Sequence, residues 1–529
     1  MRSLAADPPD FTLRPIPLAY RRDAQLAGLV VLAMALAFFL LNTAQGIGIF
    51  TDSTRYMGIS ARPYDAPLYH WALTAGVWLG LSFSTTAWII GLVTLFTNTL
   101  LIFTLLARAV SGWLVPFLGT ALVVLSPQFV TLQSSAMSEP PFLTFLLLTI
   151  HAALTYFRTR STAALIVCSV CLGLATLTRF SAPPLGVAIA VLILALPMLA
   201  RRTKLRDIAL LAGIGGALFL AWMAYSQLTA GRSIGRDLWF YGNMGPEEWL
   251  SSLGVMTAWI LPDQFPLAIR VVALIGVLWF GLAHGFAAMR SFVATGGGDR
   301  DVAHGALAAL LALFFLFYMI FIVLSVSIEA NLTLTGRYAF PAYAMLAMLV
   351  ALGIAHYTVP TSGTRYVPTA LLVLATGLCV LHTARSAART PEVYRDGYGY
   401  QHVSWRTSPT LAAIDTLPPN AVLYSNGPDI ISFHTGRTAQ FTPHEYLLRT
   451  HRPEVGNPVS RQIARIGKVA RDHPAYVVMF DRIDWRHYLA DESKLVSQLA
   501  LQQQGSFGDG RIYRVPGKDP TPAQERVTQ

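Results

Sequence analysis

Apolar runs of about twenty residues recur along most of this chain, from Ala24 to Ala384, and each is long enough to cross the roughly 30 Å hydrocarbon core of a bilayer as a helix. In lipid every backbone N–H and C=O must find a partner within the protein, which leaves helices and closed barrels. Continuous runs of this length, without strict alternation, are helices. Of the 529 residues, 54% are hydrophobic and 13% charged, about half the ~25% charged share of an average soluble protein. A wholly soluble enzyme, a disordered chain and a collagen-like chain are excluded.

Apolar windows near 24–47, 84–107, 114–131, 141–157, 162–178, 184–200, 207–229, 265–289, 303–327, 338–357 and 366–384 predict about eleven transmembrane helices. Arg21 and Arg22 precede the first run. That run is too long for a signal-peptide core and lacks a small-residue cleavage site, so it reads as an uncleaved span. With residues 1–23 as a cytoplasmic tail, the connections on the same side carry Arg108, Arg158, Arg160, the Arg201 to Arg206 cluster, Arg290, Arg300 and Arg365. This is the positive-inside bias, and it accounts for the net charge of +11 without a nucleic-acid partner.

The transmembrane domain is then 24–384, with long external loops at 50–83 and 230–264, and residues 385–529 form an extracytoplasmic domain. That tail is polar and rich in turn signals, and it predicts a small α/β unit. Ser408-Pro409 opens a helix, 421–425 and 476–480 are strand-like, and 460–471 has helical periodicity. In the external loops, 67–73 and 239–241 suit short helices at the membrane surface, where Trp and Tyr settle. Cys168, Cys171 and Cys379 all lie inside apolar runs and predict neither a disulfide framework nor a zinc site.

Carboxylates at a membrane boundary are expensive, and few occur on the predicted outer side. Asp52 directly follows the first span and Glu139 sits in the second external loop. Two such groups can supply a general base and a metal ligand or orienting partner. Their bland alternatives are a helix cap for Asp52 and a helix-dipole partner for Glu139. On the same side Arg55, Arg62, Arg179 and Arg337 offer guanidinium forks suited to a phosphate, the alternative being arginines that snorkel to lipid headgroups.

In order along the chain come Asp52 with Tyr56 four residues later, Asp65-Ala66-Pro67-Leu68-Tyr69-His70-Trp71, Ser138-Glu139-Pro140, and Arg337-Tyr338 with Pro341 after it. This series, over about residues 20 to 360, resembles the GT-C superfamily of integral-membrane glycosyltransferases. It is most similar to the protein O-mannosyltransferase and lipid A aminoarabinose transferase branch. The resemblance implies inverting transfer of a sugar from a polyprenyl-phosphate carrier to a lipid, glycan or protein acceptor at the extracytoplasmic face of a bacterial inner membrane. It implies Asp52 as the catalytic aspartate, Glu139 as a second acidic residue near the metal or donor, and Arg337, Tyr338 and Arg179 around the donor phosphate. Tyr56, Asp65 and His70 fall in the substrate-binding loop. Ser53 stands where many relatives carry a second acidic residue, so a divalent metal ion, with Asp52 and Glu139 as its candidate ligands, is left open.

Two other functions fit a polytopic chain: a lipid-linked-glycan flippase or other transporter, and a receptor or assembly component. Transporters place charges and broken helices near the midplane, often in repeated halves. No repeat is visible here, and the acidic residues gather at one surface.

Overall fold

A computed structural model of the chain describes residues 18–59, 65–231, 239–295, 302–329, 332–358 and 366–517. The first seventeen residues of the expected tail, together with Arg62, Arg300 and Arg365, lie outside these. The chain is a multi-pass membrane protein. Among the described residues, eight helices are long and apolar enough to cross a membrane, or nine if a bent pair is counted as one span.

All eleven apolar windows are helical, and in two of them proline cuts the helix short of a full span. The 114–131 window splits into Leu114–Val124 and Pro127–Gln133, bent by 62°. Ser126 precedes Pro127, whose ring disfavours the α conformation in the residue before it, and Ser126 is extended (ψ 143°). Its hydroxyl instead accepts a hydrogen bond from the Phe129 N–H and caps the second piece. The predicted 184–200 span is the 13-residue helix Pro183–Ala195, because Leu196, with ψ 111°, precedes Pro197. Thr162–Thr178 is likewise short, at 17 residues. The helices bury one continuous apolar core, with Phe142, Leu146, Ile189, Phe314 and Leu349 essentially sealed from solvent.

Both long loops carry helices. Pro67–Trp78 forms as expected, and Thr51–Tyr56 precedes it. Residues 239–241, expected to be helical, are irregular instead. The Trp239 and Tyr241 N–H groups bond the carbonyls of Ile328 and Ser327, and Gly242, at φ +109°, turns the chain before the helix Pro246–Thr257.

The C-terminal unit is a five-stranded sheet: β1 (Val422–Ser425), β2 (Ala439–Phe441), β3 (Ala475–Phe480), β4 (Gln502–Phe507) and β5 (Gly510–Arg514). Its order is β2-β1-β3-β5-β4, with β1 parallel to β2 and β3, and β5 antiparallel to β3 and β4. Alternation along β3 divides the two faces. Val477 and Met479 pack with Ile463 and Ile466 of the helix Val459–Asp472. Tyr476, Val478 and Phe480 join a cluster that includes Ile430 and Leu411 but also Ile47, Ile49, Tyr56, Tyr69 and Leu73 from the membrane domain. One hydrophobic core therefore spans the C-terminal unit and the first loop.

Backbone contacts fix this docking. The Tyr400 N–H bonds the Ile49 carbonyl at 2.8 Å, and Gly399 sits beside it at φ +62°. A β-carbon on Gly399 would lie 2.2 Å from the Ile49 oxygen. Gly399→Ala is expected to loosen the docked domain by about 1–3 kcal/mol, from left-handed strain together with the clash. Thermal unfolding of the detergent-solubilised protein and protease release of the C-terminal domain would measure it.

Candidate functional site

Four helix ends converge where the first loop meets the bundle. Asp52 lies in the first turn of Thr51–Tyr56, and Arg55 and Tyr56, three and four residues on, share its face. Glu139 opens the helix Glu139–Thr159, Arg179 follows the last residue of Thr162–Thr178, and Arg337 and Tyr338 lie in the first turn of Gly336–Thr358.

Their charges form one alternating row. Asp65 Oδ2 accepts from Arg55 Nε at 2.9 Å, and Arg55 Nη2 reaches Asp52 Oδ1 at 2.8 Å. Asp52 Oδ2 accepts from Arg337 Nη1. Arg337 Nε lies 3.3 Å from Glu139 Oε1, and the same oxygen is 2.8 Å from Arg179 Nη1. Three carboxylates and three guanidiniums thus balance. The Glu139 side chain is only 1% exposed; Oε1 sits in charge contact with both arginines, and neither oxygen accepts a well-angled hydrogen bond, which suits a group that can exchange partners.

Neutral groups brace the row. Tyr338 lies beneath both free arginine faces, with Arg179 and Arg337 at 5.1 and 4.9 Å from its ring centre, and its hydroxyl accepts from Arg337 Nη2. Ser138 Oγ bonds the Tyr56 hydroxyl and Arg179 Nη1, each at 3.1 Å. His70 Nδ1 donates to the Tyr56 carbonyl at 2.6 Å, so in the neutral ring Nε2 carries the lone pair. All eight residues singled out from the sequence, namely Asp52, Tyr56, Asp65, His70, Glu139, Arg179, Arg337 and Tyr338, lie in this one cluster.

Burial alone would raise the Asp52 carboxyl, but Arg337 and Arg55 outweigh it and hold it at about 2. Because this value is depressed, the ionised pair stabilises the fold fully above the ordinary aspartate range near ~3.9, and that contribution is lost as pH falls toward about 2. Burial and the neighbouring carboxylates push the Tyr56 phenol upward, so it stays protonated as a donor.

Both Asp52 oxygens and Glu139 Oε1 face guanidinium groups, and no group of three or more His, Cys, Asp or Glu among the described residues is arranged to hold a metal.

A cavity of about 560 Å³ opens onto Asp52 and Arg337. Its opposite wall belongs to the C-terminal domain and includes Tyr400, Trp405 and Trp485. Sequence reasoning missed this half, together with the buried pair that anchors it. Arg486 grips Asp429 with two hydrogen bonds of 2.8 Å and donates from Nη2 to Thr51 Oγ1 at 2.9 Å. Tyr400 OH bonds both Asp429 and Thr51, the residue just before Asp52. Arg486 and Thr51 are 435 positions apart, so no local pattern could have paired them.

No family model matches the chain, and no curated protein does. Solved structures do. The crystal structure of ArnT from Cupriavidus metallidurans in the apo state superposes with a TM-score of 0.56 at 15% identity, over 93% of this chain and 99% of that one. The same protein bound to undecaprenyl phosphate gives 0.56 at 13%, over 93% and 99%. The arabinofuranosyltransferase AftD from Mycobacteria gives 0.51 at 14%, over 94% of this chain and 40% of that one. At such identities the likeness is one of fold.

Proposed function

We propose that this chain, which has the GT-C membrane fold of ArnT and AftD, is an inverting glycosyltransferase that moves a sugar from a polyprenyl-phosphate carrier to an acceptor at the extracytoplasmic face of a bacterial inner membrane. One observation carries the proposal: a carboxylate, Asp52, is held between two guanidiniums at the floor of a cavity, at the end of a helical bundle where a lipid phosphate can reach it.

The chemistry needs a cation for the departing phosphate and a base for the acceptor hydroxyl. Arg337 supplies the first, with Arg179 behind it, and stabilises the charge that develops as the C–O bond to the phosphate breaks. At about 2, Asp52 paired with Arg337 is too weak a base. When Arg337 turns to the donor phosphate, Asp52 loses its strongest partner and becomes more basic. It then takes the acceptor proton as the new C–O bond forms on the opposite face of the sugar carbon. Polyprenyl phosphate is a good leaving group, so no carboxylic general acid is required, and one base suffices where a hydrolase uses a carboxylate pair.

The test is transfer by the purified protein in lipid nanodiscs, offered a panel of undecaprenyl-phosphate sugars and a membrane extract as acceptor source. Release of undecaprenyl phosphate with one donor supports the proposal and names the sugar, whereas no consumption of any donor sinks it. The pH profile adds a second check. kcat/KM reports the free enzyme, in which Asp52 is paired, so no acid limb from this residue is expected above about pH 4. A limb at pH 5–6 that Asp52→Asn removes would mean that the pair with Arg337 does not hold in solution.

A further inference from the structure

The C-terminal wall of the cavity has a chemistry of its own. Trp405 and Trp485 line it, Trp485 being 51% exposed with the Arg486 guanidinium 4.3 Å from its ring centre, and they alternate with polar groups on His402, Ser404 and Arg482. His402 Nδ1 accepts from the Ser404 N–H at 3.1 Å, which leaves the proton of the neutral ring on Nε2 as a donor. The Arg482 guanidinium is exposed and makes no ion pair among the described residues, unlike the three arginines of the charged row.

Flat aromatic faces beside scattered hydrogen-bonding groups match the two sides of a pyranose ring, its C–H face and its hydroxyl edge. A lipid acceptor would call for a continuous apolar chute, and here His402, Ser404 and Arg482 interrupt the aromatic lining. A peptide acceptor would use a sheet edge, but the edge strand β2 is not among the cavity residues. The unpaired guanidinium adds a fork for a carboxylate or phosphate on the sugar.

Resting on the transferase proposal above, we infer that the acceptor is an anionic glycan. Its sugar ring stacks on Trp485 and Trp405, its acidic group pairs with Arg482, and the hydroxyl to be modified points to Asp52 across the cavity. The two tryptophans are not a lipid-facing belt, since both belong to the C-terminal domain and face the same cavity as Asp52.

Binding to the full chain in nanodiscs, read by calorimetry, separates this inference from the donor assignment. The probes are an acidic hexasaccharide (oligogalacturonate), maltohexaose as its neutral counterpart, a serine- and threonine-rich peptide, and undecaprenyl phosphate. The acidic saccharide is expected to bind best, Trp485→Ala to weaken it about tenfold, and Arg482→Gln to bring it to the level of the neutral one. Undecaprenyl phosphate binding should be the same in both variants and in the parent. The inference is overturned if neither saccharide binds, if only the peptide does, or if both variants bind the acidic saccharide as the parent does. A parent that binds the saccharide but not undecaprenyl phosphate would instead defeat the donor assignment and leave the glycan site standing.

Discussion

Asp52→Asn is expected to lower turnover about a thousandfold, the middle of the range for a positioned general base, while the protein still folds and still binds its lipid donor. Asparagine fills the same space and keeps one oxygen that accepts from Arg55 or Arg337, but its amide nitrogen faces the other and it cannot take a proton. The variant should also bind undecaprenyl phosphate at least as tightly as the parent, because Arg337 no longer has to leave a carboxylate to reach the phosphate. Loss of turnover with donor binding kept places Asp52 on the chemical step. Turnover within a fewfold of the parent would remove it from the mechanism, and joint loss of binding and thermal stability would make it a structural charge.

The second large effect is on stability. Arg486 and Asp429 are 1% and 2% exposed, and Arg486→Met would leave Asp429 buried without its cation, at a cost of about 3–5 kcal/mol. At Asp429 burial alone would raise the carboxyl, yet Arg486 holds it below the ordinary range, so the group is charged in the parent and loses the cation that keeps it so in the variant. The double variant Arg486→Met, Asp429→Leu removes both charges and should recover most of the thermal stability. It should not recover full turnover, since Thr51 loses the hydrogen bond that steadies the helix bearing Asp52. Equal recovery of both would limit the pair to holding the domain together.

Periodicity and proline chemistry made much of the membrane part legible. Each apolar window is a helix, and the breaks at Ser126 and Leu196 follow from the prolines after them, a signal present in the sequence but hidden by counting apolar residues alone. The strands at 422–425 and 475–480 and the helix at 459–472 also carry local patterns. The membrane half of the site was legible because few charges occur at that boundary, and their rarity marked them. Two things were not. The Arg55 link between Asp52 and Asp65 depends on how the loop folds back, and the anchoring by Tyr400, Asp429 and Arg486 depends on tertiary docking across hundreds of residues.

The alternating row of Asp65, Arg55, Asp52, Arg337, Glu139 and Arg179 has one more property. Every interior member has a neighbour of opposite sign on each side. When an incoming anion borrows Arg337, Asp52 still holds Arg55 and Glu139 still holds Arg179, so neither acid is stranded in a dry interior. The row works as a chain of shared hands, in which one can let go without any neighbour being left empty. A guest of either charge can step into it and out again while the protein around it stays folded.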